Sequence, residues 1–268
     1  MHTTGRVNYH VHADHPQQFE LDPDGHDGTL IAPELAPTDV TVHDVRDLQP
    51  PLSFHEDGLG FATLATAAQN LTDPDQPWRA TYDDELAQFL RARLSATDVR
   101  VFDHTLRVDD PDARRRPARN VHGDYSPAGG RQRLIDLLGP EEAASWERGH
   151  YAFVNVWRPV GEVIRSAPLG FVRPRTVAPA DWVGIDLAYP NRTGHILGLV
   201  ANPEHAWIYR ASLRPDEVAF FVTHDNRGGP VVPHSAFDAQ STQGPPKIRR
   251  SLESRTLVRF SAAPSARE

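Results

Sequence analysis

Apolar and polar residues alternate along Val7-Asn8-Tyr9-His10-Val11-His12 and again from Asp39 to Val45, the period-two pattern of strands with one buried face. Between them and the middle of the chain the period changes. A helix is expected over Gly60 to Asn70. A clearer one runs from Tyr82 to Leu94, where Leu86, Phe89, Leu90 and Leu94 recur at helical spacing behind an acidic first turn. Val99 to Asp103 reads as a strand, Pro111 to Asn120 as a break carrying Arg114-Arg115-Arg116, and Gly130 to Arg148 as a helix with Leu134, Leu137 and Leu138 on one side. From His150 onward the signal is mostly β: Tyr151–Arg158, Trp182–Ala188, His195–Val200, Ala206–Ala211, Val218–His224, Val231–Ala236 and Ser251–Phe260. Seven short strands punctuated by Pro, Gly and Asp predict a sandwich or barrel, mainly β, with mixed α/β material before it. The helices at 82–94 and 130–148 are expected to pack on the outside of one sheet.

Length and composition narrow this further. The chain has 268 residues, and 39% hydrophobic content is enough for a sizeable core. Since β-barrels and sandwiches reach ~250 residues as one unit, a single domain is the expectation. It divides into a mixed N-terminal part (1–98), a β core (99–260) and a tail (261–268). Twenty-four prolines exclude a helical bundle, because Pro interrupts helix interiors. The absence of Cys excludes disulfides, thiolate zinc sites, iron–sulfur clusters and a Cys nucleophile. A formal charge of −8 with Lys247 the only lysine argues against nucleic acid as a partner, which needs a cationic face. No stretch approaches the ~18 apolar residues of a membrane span, and the start lacks a charged-then-apolar signal. A cytoplasmic protein without a membrane partner is therefore expected.

The residues that carry chemistry are widely spaced. His122-Gly123-Asp124 puts an imidazole and a carboxylate two residues apart, hence on one face of an extended segment. Pro233-His234-Ser235 places a second His at the end of an apolar strand, and Arg249-Arg250-Ser251 leads the last strand. Two His and one carboxylate on one face of iron leave three positions open, the arrangement of non-haem Fe(II) oxygenases. An oxoacid cosubstrate fills two of them and dioxygen the third. The oxoacid's distal carboxylate needs a fixed cation, which the guanidinium fork of Arg249 suits, with Ser251 on the same face as a second donor. His12-Ala13-Asp14 repeats the first spacing but lies too far upstream. "GLGFAT" at 58–63 lacks the third glycine of a dinucleotide fingerprint.

Arg255 shares strand parity with Arg249, yet six residues of strand separate them by roughly 20 Å, so both cannot hold one carboxylate. Distance from His234 favours Arg249 and leaves Arg255 as the alternative anchor. Tyr151, Phe153, Asn155 and Trp157 share a strand face, and Asn155 is the polar member among aromatics; a buried amide must find partners.

Several segments in order resemble a known group: "VFDHTLR" (101–107), "VHGDYSPAGGRQR" (121–133), "NVWRP" (155–159), "NPEHAWIY" (202–209), "LRPDEVAFF" (213–221), "PHSAF" (233–237) and "RRSLESR" (249–255). The chain is similar to the Fe(II)/2-oxoglutarate hydroxylase/desaturase family that includes fungal aspergillic-acid hydroxylases and the cephamycin 7α-hydroxylation protein of actinomycetes. The resemblance implies a double-stranded β-helix (jelly-roll) core with flanking helices. It implies Fe(II) on His122, Asp124 and His234, 2-oxoglutarate on Arg249 and Ser251, and O2 as co-reactant. It also implies active-site roles for Asn155 and Arg158, with Tyr125 and Trp157 counted beside them as substrate-binding. The expected function is hydroxylation, desaturation or oxidative cyclisation of a small amino-acid-derived specialised metabolite. The alternative is an accessory partner of a biosynthetic methyltransferase that turns over little alone. Homo-oligomerisation stays open.

Overall fold

The computed structural model describes residues 1–20, 29–32, 35–190, 192–240 and 248–261. Beyond Ser261 the expected tail lies outside the described residues. Two sheets dominate. The larger contains β1 (His2–Tyr9), β2 (Gln17–Glu20), β3 (Thr29–Ala32), β4 (Ala36–Asp44), β7 (His122–Gly123), β9 (Leu169–Val172), β10 (Trp182–Tyr189), β11 (Arg192–Leu199), β12 (Trp207–Tyr209), β14 (His234–Ala236) and β15 (Asp238–Ala239). The smaller contains β5 (Leu59–Thr63), β6 (Ala96–Val108), β8 (His150–Pro159), β13 (Glu217–Asp225) and β16 (Arg250–Phe260), in the order β5-β13-β8-β16-β6. Four α-helices are present among the described residues: α1 (Phe54–Asp57), α2 (Arg79–Leu94), α3 (Pro127–Leu138) and α4 (Pro140–Glu147). Within 150–260 every strand pairing is antiparallel. None of the helices is long and apolar enough to cross a membrane.

Period-two alternation assigns the two faces of the smaller sheet. Ala152, Val154 and Val156 of β8 point outward with Val218, Phe220, Leu252 and Val258, and α2 covers them with Tyr82, Leu86 and Leu90. At ~25 cal/mol per Å² of apolar surface removed from water, this layer is a main source of stability. Trp157, Ala219 and Phe221 point inward and meet Phe171 and Ile208 of the larger sheet. Bridges Asn8–Asn120 and His10–Val200 curl the larger sheet back on itself. Its far face therefore encloses a second core of Val7, Val42, Val172, Trp207 and Phe237. The polar atoms buried there are paired. The Trp207 indole donates to the Tyr9 hydroxyl (2.8 Å), which meets His205 Nδ1 (2.9 Å), and His205 Nε2 meets Asp181 (3.1 Å).

Several expectations change. Residues 60–70 are not helical: β5 pairs with β13 there, and a Cβ on Gly60 would come within 2.3 Å of the Phe220 ring. The helix expected at 130–148 is two, broken where Gly139 adopts φ +77° and Pro140 opens α4. Moreover, α2 packs outside as expected but α3 and α4 do not. Leu134, Ala143 and Trp146 lie on Tyr151, Phe153 and Leu257, the inward face of the smaller sheet where β8 begins and β16 ends. Nor does the sheet core start at residue 99, because β1 to β4 belong to the larger sheet and β5 to the smaller.

Candidate metal centre between the sheets

His122 and His234 are direct cross-strand neighbours, since β14 pairs with β7 through His234 opposite His122. Their rings lie 4.5 Å apart on the inward face. Asp124 follows β7 by one residue, and its Oδ1 stands 3.6 Å from Nε2 of each imidazole. Both Nδ1 atoms are occupied by backbone carbonyls, His122 with Asn120 (2.8 Å) and His234 with Val232 (3.1 Å). An Nδ1–H donated to a carbonyl fixes the tautomer in which Nε2 carries the lone pair, the arrangement expected of a metal-ligating His. Burial, reinforced by His234, pushes the His122 pKa down to about 3. Burial would raise the Asp124 carboxyl, but His234, Arg255, His122 and the Asn155 amide outweigh it and hold it at about 2. The set therefore presents an ionised carboxylate beside a neutral imidazole. Among the described residues it is the one group of His and acidic side chains close enough to share an ion. The rival pair His12 and Asp14 is not part of any such group.

The smaller sheet supplies the opposite wall. Arg249, 4% exposed, lays its guanidinium 5.1 Å from the Trp157 ring centroid, and its Nε and Nη1 have no partner among the described residues. Burial, then the neighbouring Arg107, pushes Arg249 down to about 9. The Ser251 hydroxyl is fully buried and equally unpartnered. Buried polar groups are nearly always satisfied, so two orphaned guanidinium nitrogens beside an orphaned hydroxyl fit an anion of carboxylate shape. The donor set of the triad fits a divalent metal such as iron.

Arg255 is engaged elsewhere. It donates to Asp103, Glu253 and Thr105, and its Nε lies 3.9 Å from Asp124 Oδ2. Asn155 sits opposite Arg255 and donates to Asp124 Oδ2 at 2.7 Å, while its own Oδ1 is buried without a partner among the described residues. Tyr125 stacks toward Phe153 (4.9 Å between centroids), and burial pushes its hydroxyl up to about 12. Two sequence expectations shift. Trp157 lies under Arg249, where its ring packs against the guanidinium. Arg158 is on the outer face, where it donates to the carbonyls of Leu64 and Pro215 beneath α2 and lies 5.2 Å from the Tyr82 ring. It is not part of the site, because strand parity sends neighbours of Trp157 to the other side.

The sequence reading also overlooked Asp103, Thr105 and Arg107. They line the inward face of β6 opposite Arg255, Glu253 and Ser251. Their alternation, Asp-x-Thr-x-Arg, was the available signal.

The fold matches that of the iron and alpha-ketoglutarate-dependent endoperoxidase NvfI, with a TM-score of 0.81 at 22% identity, covering 97% of this chain and 98% of that one. In sequence the chain is 27% identical over 249 residues to the hydroxylase/desaturase efuI of Hormonema carpetanum, covering 82% of each. It is also 27% identical over 235 residues to the Fe(II)/2-oxoglutarate-dependent dioxygenase nvfI of Aspergillus novofumigatus, covering 83% of each. A family match over residues 7–259, nearly the whole β framework that carries the site, establishes that this chain belongs to the oxidoreductase/YMDC permease-like domain family.

Proposed function

We propose that the chain is an Fe(II)/2-oxoglutarate-dependent oxygenase acting on a small specialised metabolite, with His122, Asp124 and His234 as the metal ligands. The observation that carries this reading is the pairing of a His-Asp-His cluster on one sheet with orphaned buried donors, Arg249 and Ser251, on the other. Relatives bearing hydroxylase/desaturase and Fe(II)/2-oxoglutarate-dependent dioxygenase names support it. Iron(II), when bound, would supply dioxygen activation coupled to oxidative decarboxylation of the oxoacid.

The protein's own residues do the rest. The Asn120 and Val232 carbonyls keep each imidazole turned with Nε2 toward the metal position. Arg249 and Ser251 receive the distal carboxylate of 2-oxoglutarate, and the Trp157 face holds the guanidinium in place before the anion arrives. Tyr125 and Phe153 wall the site beside Asp124 and exclude water, while Asn155 Oδ1 is left to accept an N–H or O–H from the primary substrate. Arg255, already committed to Asp103 and Glu253, braces the wall.

The test is anaerobic reconstitution with Fe(II), followed by measurement of succinate formed from 2-oxoglutarate on admitting air. Consumption without any added protein favours an enzyme over an accessory subunit. An iron-loaded protein that neither binds nor consumes 2-oxoglutarate overturns the reading.

A further inference from the structure

We propose that Asn155 is a positioning residue that commits Asp124 to bind metal through Oδ1 alone. The inference rests on the metal reading above. Asp124 lies beyond the end of β7, at the start of the turn into α3, so no sheet pairing fixes its side chain. Its orientation comes from the facing sheet. Asn155, 1% exposed in the middle of β8, donates its amide to Oδ2 at 2.7 Å, and Arg255 Nε approaches the same oxygen at 3.9 Å. Oδ1 is left 3.6 Å from both Nε2 atoms.

The consequence concerns coordination number. A carboxylate free to rotate can bind a divalent ion through both oxygens and occupy two positions. With Oδ2 held by a buried amide, Asp124 occupies one, and three remain for a chelating oxoacid and dioxygen. Asn155 suits this task because a neutral amide donates without competing for the metal as an imidazole or carboxylate would. The same bond crosses from one sheet to the other.

The experiment measures Mn2+ binding to the full chain by titration of free Mn2+, for wild type, Asn155→Leu and Asn155→Ala, with the Tm of each metal-free protein recorded alongside. Outer partners of metal ligands typically contribute about 10–100-fold in metal affinity by holding the ligand in its binding orientation, and the ordering of Asp124 lost with the amide outweighs any second oxygen it gains, so both variants should bind Mn2+ that much more weakly per folded molecule. Saturating Mn2+ should correspondingly raise their Tm less than it raises that of wild type. A role confined to packing would lower the metal-free Tm and leave Mn2+ affinity within about twofold of wild type. That result overturns the proposal. Should Asn155→Leu fail to fold, Asn155→Ala decides by the same criterion. A wild-type protein that does not bind Mn2+ at all would instead sink the metal reading itself.

Discussion

Arg249 should make the metal-free protein less stable than it could be. Burial lowers its pKa to about 9, so the folded chain carries a charged group it holds poorly. The guanidinium stays charged in both states, so at neutral pH the folded protein bears the cost of desolvating it without a hydrogen-bonded carboxylate on Nε or Nη1. Arg249→Met keeps most of the volume over Trp157 and removes the charge. Exchanging a buried charge for a packed apolar group is often worth ~1–4 kcal/mol, and a domain of this size gains ~2–4 °C in Tm per kcal/mol. The metal-free variant should thus melt several degrees higher than wild type at pH 7. Binding should move the other way. Removing one partner of a desolvated pair costs ~3–5 kcal/mol, which at ~1.4 kcal/mol per tenfold is roughly two to three and a half orders of magnitude in Kd for 2-oxoglutarate. Thermal melts of the Mn2+-loaded proteins with and without 2-oxoglutarate read both effects. Ligand at a hundred times Kd stabilises wild type by ~2.7 kcal/mol, and the variant at the same concentration by almost nothing. A variant that melts lower than wild type when metal-free, yet keeps the 2-oxoglutarate shift, would refute both the uncompensated charge and the anchor.

Other outcomes follow from the same contacts. His122→Ala, Asp124→Ala and His234→Ala should each abolish Mn2+ binding by titration, whereas His12→Ala should leave it unchanged. Arg158→Met, on the outer face, should change Tm and leave Kd for 2-oxoglutarate unaltered; a large loss of affinity would return Arg158 to the site. Burial lowers the His10 pKa to about 4, so the unfolded chain binds the extra proton between pH 6.5 and 4 and stability falls as pH drops through that range. In urea titrations His10→Gln should flatten that fall, which amounts to about 3 kcal/mol. Gly130→Ala places a Cβ 2.3 Å from the His224 ring, and overpacking of this kind costs ~1–3 kcal/mol. It should lower Tm and loosen α3 beside Tyr125, read as faster amide exchange in α3.

The clustering of His122, Asp124 and His234 was legible because the chemistry proposed for them demands rare residue types in a fixed order, and because period two tells which side of a strand each occupies. His122 and Asp124 share a face by counting alone. That His234 lies directly opposite His122 required the β14–β7 pairing, a contact across more than a hundred residues that no local pattern encodes. The helix expected at 60–70 failed for a related reason. Leu59 to Thr63 has weak local preference, and pairing with β13 over a ring that only glycine admits decides its conformation. Similarly, α2 declares its apolar stripe, but nothing in 130–148 reveals that α3 and α4 lie on the inward face of the smaller sheet.

The charged inward face was the least legible part, and parity explains the error. The family resemblance implies active-site roles for both Asn155 and Arg158, yet their separation of three residues along β8 sends them to opposite faces of the sheet. The residues that do share the wall come from three strands: Asn155 and Trp157 on β8, Ser251 and Arg255 on β16, and Asp103, Thr105 and Arg107 on β6. In sequence these are scattered acids, amides and arginines. In register they form rows in which Arg255 is neutralised by Asp103 and Glu253, while Arg249 has no such carboxylate hydrogen-bonded to its buried Nε and Nη1. Two arginines of equal parity, Arg255 within β16 and Arg249 just before it, thus divide their work through their neighbours. The one bonded to carboxylates can brace the wall, and the one whose buried Nε and Nη1 lack partners among the described residues could receive an incoming carboxylate.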